Sequence, residues 1–236
     1  DAAVEGAAQA KLRNAGQACT AANRFLVHEA VAKEFIERLS RRFSAIGQAS
    51  ARGGQLGPFI SAAARENVHA MVDDAVARGA RLVLGGTIPD GPGYFYPPTI
   101  LADVAPGSRV LEEEIFGPVA PVQCFASDEE AVRAANATPY GLAAYAYTAD
   151  LDRALWLQEE LDVGMLGINS GLVSDPSAPF GGVKQSGLGR EGGIEGIEEY
   201  LSVHYAAIGR AAGPHERAGL GLATVAAWYT GDAKCL

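Results

Sequence analysis

The chain is poor in the residues that build metal sites and disulfide frameworks. Its 236 residues include three cysteines (Cys19, Cys124 and Cys235) and four scattered histidines (His28, His69, His204 and His215). Neither a C-x-x-C nor an H-E-x-x-H pattern occurs, which removes the usual grounds for a zinc site. Sparse, odd-numbered thiols fit a reducing compartment better than a disulfide scaffold. Cationic residues are also few. Lys+Arg total 19 against 28 Asp+Glu, and the net charge of -9 argues against a nucleic-acid partner, which would want a basic face. No apolar run approaches the roughly 18 residues of a membrane span. No charged-then-apolar leader opens the chain; Asp1-Ala2-Ala3-Val4-Glu5 reads as the start of a helix, and a cytoplasmic location is expected. What is abundant is apolar mass: a hydrophobic content of 48% supplies a core for one large domain or two small ones.

Periodicity sets the element order. Val31, Phe35, Leu39, Phe43 and Ile46 recur at helical spacing and predict a helix over 29–46. A second helix is expected over 62–78, with Ser61 as N-cap, Gly79 as stop, and an apolar stripe of Val68, Met71, Val72, Ala75 and Val76. Ala80 to Leu84 reads as a short strand ended by two glycines, and Pro121 to Phe125 as a buried strand in which Cys124 is inert core. Ser127-Asp128-Glu129-Glu130 is a capping-box pattern opening a helix through about Ala137. Ala143 to Thr148 and Val163 to Ile168 read as strands. They flank a helix over 151–161 with Leu151, Leu155 and Trp156 inward. A last strand is expected over Glu199 to Ile208, and a short helix is possible over Leu220 to Tyr229. Helices alternating with short apolar strands imply an α/β layered domain.

The chemistry gathers around Cys19, in Arg13-Asn14-Ala15-Gly16-Gln17-Ala18-Cys19-Thr20-Ala21-Ala22-Asn23-Arg24. Small neighbours let a ligand approach the thiol, and the nearby cations Arg13 and Arg24 favour the nucleophilic thiolate. The alternative for such a residue is a packed, inert thiol. Glu114, in Glu113-Glu114-Ile115-Phe116-Gly117-Pro118-Val119, offers a carboxylate that can accept two hydrogen bonds from a diol, and Phe116 offers a ring for stacking; the alternative is a solvated surface turn. Gly187-Leu188-Gly189-Arg190-Glu191-Gly192 satisfies G-x-G-x-x-G. It follows no hydrophobic strand, and no acidic partner lies about twenty positions on, so it reads as a loop and not a dinucleotide fingerprint.

Three segments together carry a family resemblance: the Cys19 stretch, Glu113–Val119, and Pro179-Phe180-Gly181-Gly182-Val183-Lys184-Gln185-Ser186-Gly187 with Gly189-Arg190-Glu191-Gly192. In their order and spacing the chain resembles the aldehyde dehydrogenases, particularly the succinate-semialdehyde dehydrogenases, as far as about Gly209. The resemblance implies a three-layer α/β/α catalytic domain over 1–198, an oligomerisation strand over 199–209, and a Gly/Ala-rich tail over 210–236. The Rossmann cofactor domain of the family would precede these residues. In the family chemistry Cys19 attacks the aldehyde to give a thiohemiacetal, hydride passes to NAD or NADP, and water hydrolyses the resulting thioester. The backbone N–H of Cys19 is one oxyanion donor. The same resemblance places Glu114 on the cofactor ribose and Phe116 against the nicotinamide. It also places Arg13 and Ser174 on the distal carboxylate of a semialdehyde, and makes the protein a homo-oligomer. The family's general base, side-chain oxyanion donor and phosphate-binding turn fall in the preceding part. The isolated chain is therefore expected to be a poor dehydrogenase. Two other classes remain open: a non-enzymatic remnant that keeps fold and oligomerisation, and a weak thiol esterase acting through Cys19.

Overall fold

In a computed structural model of the chain, residues 1–46 and 56–209 are described. Helix α1 (Ala2–Leu12) runs into a short 3₁₀ turn, Arg13–Gly16, and a loop leads to strand β1 (Phe25–His28). Helices α2 (Glu29–Ile46) and α3 (Ala62–Ala77) follow, then β2 (Arg81–Leu84), β3 (Thr99–Ala102), the single-turn α4 (Arg109–Glu112) and β4 (Val119–Phe125). Helix α5 (Asp128–Asn136) leads to β5 (Tyr140–Gly141), β6 (Ala143–Ala146), α6 (Leu151–Glu160), β7 (Met165–Ile168), β8 (Val183–Lys184) and a 3₁₀ helix, Glu195–Tyr200.

The principal sheet has the order β1-β4-β3-β2; β1 and β3 both run parallel to β4, and β2 is antiparallel to β3. Side chains alternate across it. Ile100, Ala102, Ala120 and Val122 face one core with Val4, Ala7, Ala8 and Leu12 of α1 and Ala32, Ile36, Leu39 and Phe43 of α2. Leu101 and Val119 face the other core, with Val68, Met71, Val72 and Ala75 of α3. Helices on both faces of a mostly parallel sheet make the expected α/β/α arrangement. The pairs β6–β7 (parallel) and β5–β8 (antiparallel) form two further two-stranded sheets. Asp1–Leu201 form one folded unit.

The caps follow the sequence. Ser61 accepts from Ala64 N at 3.2 Å, and Ser127 accepts from Glu130 N at 3.3 Å while Glu130 reaches back to Ala126 N at 2.8 Å. Four expectations are corrected. On α2 the buried face is Ala32, Ile36, Leu39 and Phe43, and Val31 is exposed; the small Ala32 turns the stripe by one position. On α6 only Ala154 is buried, while Leu151 and Leu155 are exposed, since no described element covers that face. Cys124 is exposed: the C-terminal end of β4 runs out from under its cover into a surface groove of about 920 Å³ with Ile36, Arg41, Arg81 and Asp103. The strand expected over Glu199 to Ile208 is absent. Residues 195–200 are 3₁₀, and 201–209 carry no regular structure, because a strand exists only with a partner for its ladder and this stretch has none among the described residues. The tail over 210–236, with the helix at Leu220 to Tyr229, lies outside the described residues.

Candidate active site

Cys19 sits at a corner of a tight turn closed by Ala21 N donating to Ala18 O at 2.9 Å. The turn carries the thiol to the surface, and among the described residues the Cys19 N–H makes no hydrogen bond. The approach to this turn is strained. Asn14, Ala15 and Gly16 adopt left-handed φ values of 51°, 56° and 74° in succession, a conformation that costs about 1–2 kcal/mol for an ordinary residue and concentrates at functional sites. The Asn14 side chain steadies it by donating to Gln17 O at 2.8 Å. Gln17 is fixed in turn, donating to Pro58 O at 3.2 Å and accepting from Ile60 N at 3.0 Å.

The Glu113–Pro118 loop lies against this turn for a topological reason. Both loops enter adjacent parallel strands, one leading into β1 and the other into β4. Asn23 binds them together. Its Nδ2 donates to Glu113 O at 2.9 Å, and its Oδ1 accepts from Ile115 N at 3.0 Å, so Glu114 is held from both sides. Gly16 touches Gly117 so closely that a Cβ there would lie 2.2 Å from the Gly117 carbonyl oxygen. The acids of this loop then divide. Glu113 is engaged by Arg109 at 2.6 and 3.0 Å, and that hydrogen bond holds its carboxyl below the usual range. Glu114 is exposed and, among the described residues, enters no hydrogen bond or ion pair. Phe116, at φ 49°, leaves 44% of its surface in solvent. An available carboxylate and an exposed ring on a clamped loop fit the ribose and nicotinamide end of a dinucleotide. No cluster of three His, Cys, Asp or Glu among the described residues could hold a metal.

Arg13 donates from Nη2 to Thr20 Oγ1 at 3.1 Å, which keeps the guanidinium beside the Cys19 turn. Arg24 does not serve the thiol. Its two terminal nitrogens donate to Ala134 O and Ala135 O, each at 2.7 Å, capping the end of α5. Ser174 is exposed in the loop after β7; the same loop packs Val173 near Tyr145, whose hydroxyl donates to Thr20 O at 2.9 Å. The G-x-G-x-x-G segment runs as turns between β8 and the 3₁₀ helix, with Gly189 packed against the Glu199 carboxylate.

Asn23, Thr20, Tyr145 and Lys11 carry weight that the sequence reading did not assign. Asn23 and Thr20 lie inside the Cys19 segment without a pattern of their own, and Tyr145, on β6, lies far in sequence from all three family segments. Lys11 looks like an ordinary helix cation, yet it is fully buried and its Nζ has no hydrogen-bond partner among the described residues. Burial pulls its ammonium down to about 7, against a smaller opposing pull from the Glu114 carboxylate.

Comparison with known proteins agrees with these segments. The sequence model of the aldehyde dehydrogenase family matches residues 1–206. The chain is 53% identical over 218 residues to a succinate-semialdehyde dehydrogenase of Paenarthrobacter nicotinovorans, covering 92% of this chain and 48% of that protein. It is 44% identical over 211 residues to a 3-sulfolactaldehyde dehydrogenase of Pseudomonas putida, covering 89% of this chain and 43% of that protein. A crystal structure of succinate-semialdehyde dehydrogenase from Burkholderia pseudomallei superposes with a TM-score of 0.82 at 50% identity, covering 85% of this chain and 42% of that one. The chain thus spans about half the length of the curated relatives it matches.

Proposed function

The chain belongs to the aldehyde dehydrogenase family, and we propose that it is the catalytic half of an enzyme that oxidises an aldehyde bearing a distal anion, succinate semialdehyde foremost, to the corresponding acid. The observation that carries this reading is the convergence of three groups on one exposed turn: the Cys19 thiol, the tethered Arg13 guanidinium and the clamped Glu114 loop. The Cys19 thiolate adds to the aldehyde carbon, and the carbonyl π pair moves to oxygen. The Cys19 N–H stabilises that oxyanion. Glu114 and Phe116 would hold NAD or NADP, which when bound would supply the hydride acceptor needed to take the Cys19 adduct to a thioester. Water then cleaves the thioester, releasing the acid and restoring the thiol. Arg13 and Ser174 fix the far end of the substrate, a guanidinium being suited to bidentate pairing with a carboxylate. The relative named for sulfolactaldehyde supports an anion-holding site of this charge class. Acyl transfer at Cys19 needs no hydride acceptor and is the activity expected of these residues tested by themselves, with oxidation slow. The enzyme assembles as a homo-oligomer through the stretch near 199–208, where Val203 and Tyr205 stand exposed.

Acylation tests this without a cofactor. Para-nitrophenyl succinate, which carries a free carboxylate, is compared with para-nitrophenyl acetate, and acyl-Cys19 is read by peptide mass. Arg13→Ala is expected to slow the succinyl ester selectively, by roughly ten- to a hundredfold for the loss of one charge-assisted bond. Equal slowing of both esters would refute the role of Arg13, and acylation at another residue would refute that of Cys19.

A further inference from the structure

Arg13 is a long, exposed side chain at the end of a helix, and such a group adopts many conformations unless something holds it. What holds it is Thr20, the residue after the nucleophile. Thr20 is 5% exposed and is used from both ends. Its Oγ1 accepts from Arg13 at 3.1 Å, and its carbonyl oxygen accepts from the Tyr145 hydroxyl at 2.9 Å. The second bond crosses from β6, in one of the small sheets, to the loop that enters the principal sheet. It fixes the corner of the turn next to Cys19. Tyr145 is a dependable donor, because burial pushes its hydroxyl up and keeps the proton in place at neutral pH. Its ring is closely confined. A Cβ on Gly167 would lie 3.1 Å from Tyr145 Cδ1 and 3.0 Å from Val173 Cγ1, in the loop that leads to Ser174.

Resting on the reading of Arg13 as the anion-holding group, we propose that Thr20 and Tyr145 are positioning residues for substrate charge: they hold the Arg13 guanidinium at a fixed place beside the Cys19 thiol and so set the preference for anionic over neutral electrophiles. Arg13 gives one of its five N–H donors to Thr20 and keeps the rest of the fork for the ligand. Losing the Thr20 hydroxyl leaves the charge on the chain but frees it to swing away, so the effect falls on charged reagents. Losing the Tyr145 hydroxyl loosens the peptide that carries Thr20, and so acts on the same tether.

Alkylation of Cys19 by iodoacetate, which bears a carboxylate, is compared with alkylation by neutral iodoacetamide. Each is measured by peptide mass on the full chain at low salt. The wild type is expected to favour iodoacetate, relative to the ratio seen for a free thiol. Arg13→Ala should lower that preference about fivefold, the factor equivalent to roughly 1 kcal/mol for an exposed ion pair. Thr20→Val should lower it about twofold or more with little change in the iodoacetamide rate. Thr20→Ser, which restores the hydroxyl, should recover it, and Tyr145→Phe should reproduce the loss without changing any side-chain volume by more than one oxygen. Added salt should erase all these differences. If Arg13→Ala lowers the preference while Thr20→Val and Tyr145→Phe leave it intact, the positioning role is overturned. If Arg13→Ala itself has no effect, the underlying reading of Arg13 fails and the inference fails with it. Equal slowing of both reagents in Thr20→Val and Tyr145→Phe would show a merely structural role and also overturn it.

Discussion

Replacing Lys11 with methionine should remove a pH dependence of stability that the wild-type chain carries between about pH 7 and pH 10. The Nζ is fully buried without a hydrogen-bond partner among the described residues, and burial lowers its ammonium from 10.5 to about 7. In the unfolded chain this amine keeps its proton up to about pH 10.5; in the folded chain it sheds the proton near pH 7. Between those values the unfolded state binds more protons, so wild-type stability rises with pH. Below about pH 7 both states are protonated and the whole cost of burying the charge is present. Across the gap from 10.5 to about 7, at roughly 1.36 kcal/mol per pH unit, that cost comes to about 5 kcal/mol, an upper value because water reaching the amine would lessen it. Methionine fills similar space with no charge. Urea midpoints measured from pH 6 to pH 10 should show Lys11→Met gaining most over wild type near pH 6, with the gain shrinking steadily as pH rises. Other groups titrate in both proteins and cancel in the difference. A difference that stays flat with pH, or that grows as pH rises, would refute the buried-charge reasoning.

Two further outcomes follow from the packing. Gly16→Ala places a Cβ 2.2 Å from the backbone oxygen of Gly117 at a φ of 74°, so neither neighbour nor residue can yield cheaply. A loss of at least about 2 kcal/mol is expected, a fall of roughly 4–8 °C in melting temperature, and an unchanged melting curve would show that the two loops do not meet as described. Cys124, exposed at the end of β4, should be alkylated by iodoacetamide in the native chain alongside Cys19; protection of Cys124 until denaturant is added would return it to the core.

The sequence reveals most where one residue type decides the outcome. Ser61 and Ser127 start their helices because a short hydroxyl side chain satisfies free N–H groups at a helix end. Four of the five stripe positions expected on α3, Val68, Met71, Val72 and Ala75, are buried, because a helix packed on one side repeats its apolar residues on one face, while Val76 lies past the edge of that face and is exposed. Strands β1 and β3 escape the periodicity reading and are defined only by their pairing with β4; β2, equally short, is legible because two glycines end it. Cys124 misleads for a related reason: an apolar run marks a strand but not where its cover ends. Arg24 misleads because nearness in sequence to Cys19 says nothing of the carbonyls of Ala134 and Ala135, which lie 110 and 111 residues away along the chain and take its guanidinium.

The candidate site shows the same division more sharply. Cys19, Glu114 and Phe116 stand out because their residue types announce chemistry. What turns them into a site is Asn23, whose amide bonds the backbone on both sides of Glu114, and Gly16, whose missing side chain lets one loop lie on the next. Neither residue has a reactive group, and both act across about ninety to a hundred positions of sequence. Their effect depends on β1 and β4 being parallel neighbours, since only that pairing brings the loops entering the two strands to the same end of the sheet. An antiparallel pairing would put the Cys19 turn and the Glu114 loop at opposite ends, with every reactive residue still present. The topology is therefore part of the candidate site: it converts two separate sequence segments, each open to an ordinary structural reading, into a thiol and a carboxylate held on adjoining loops.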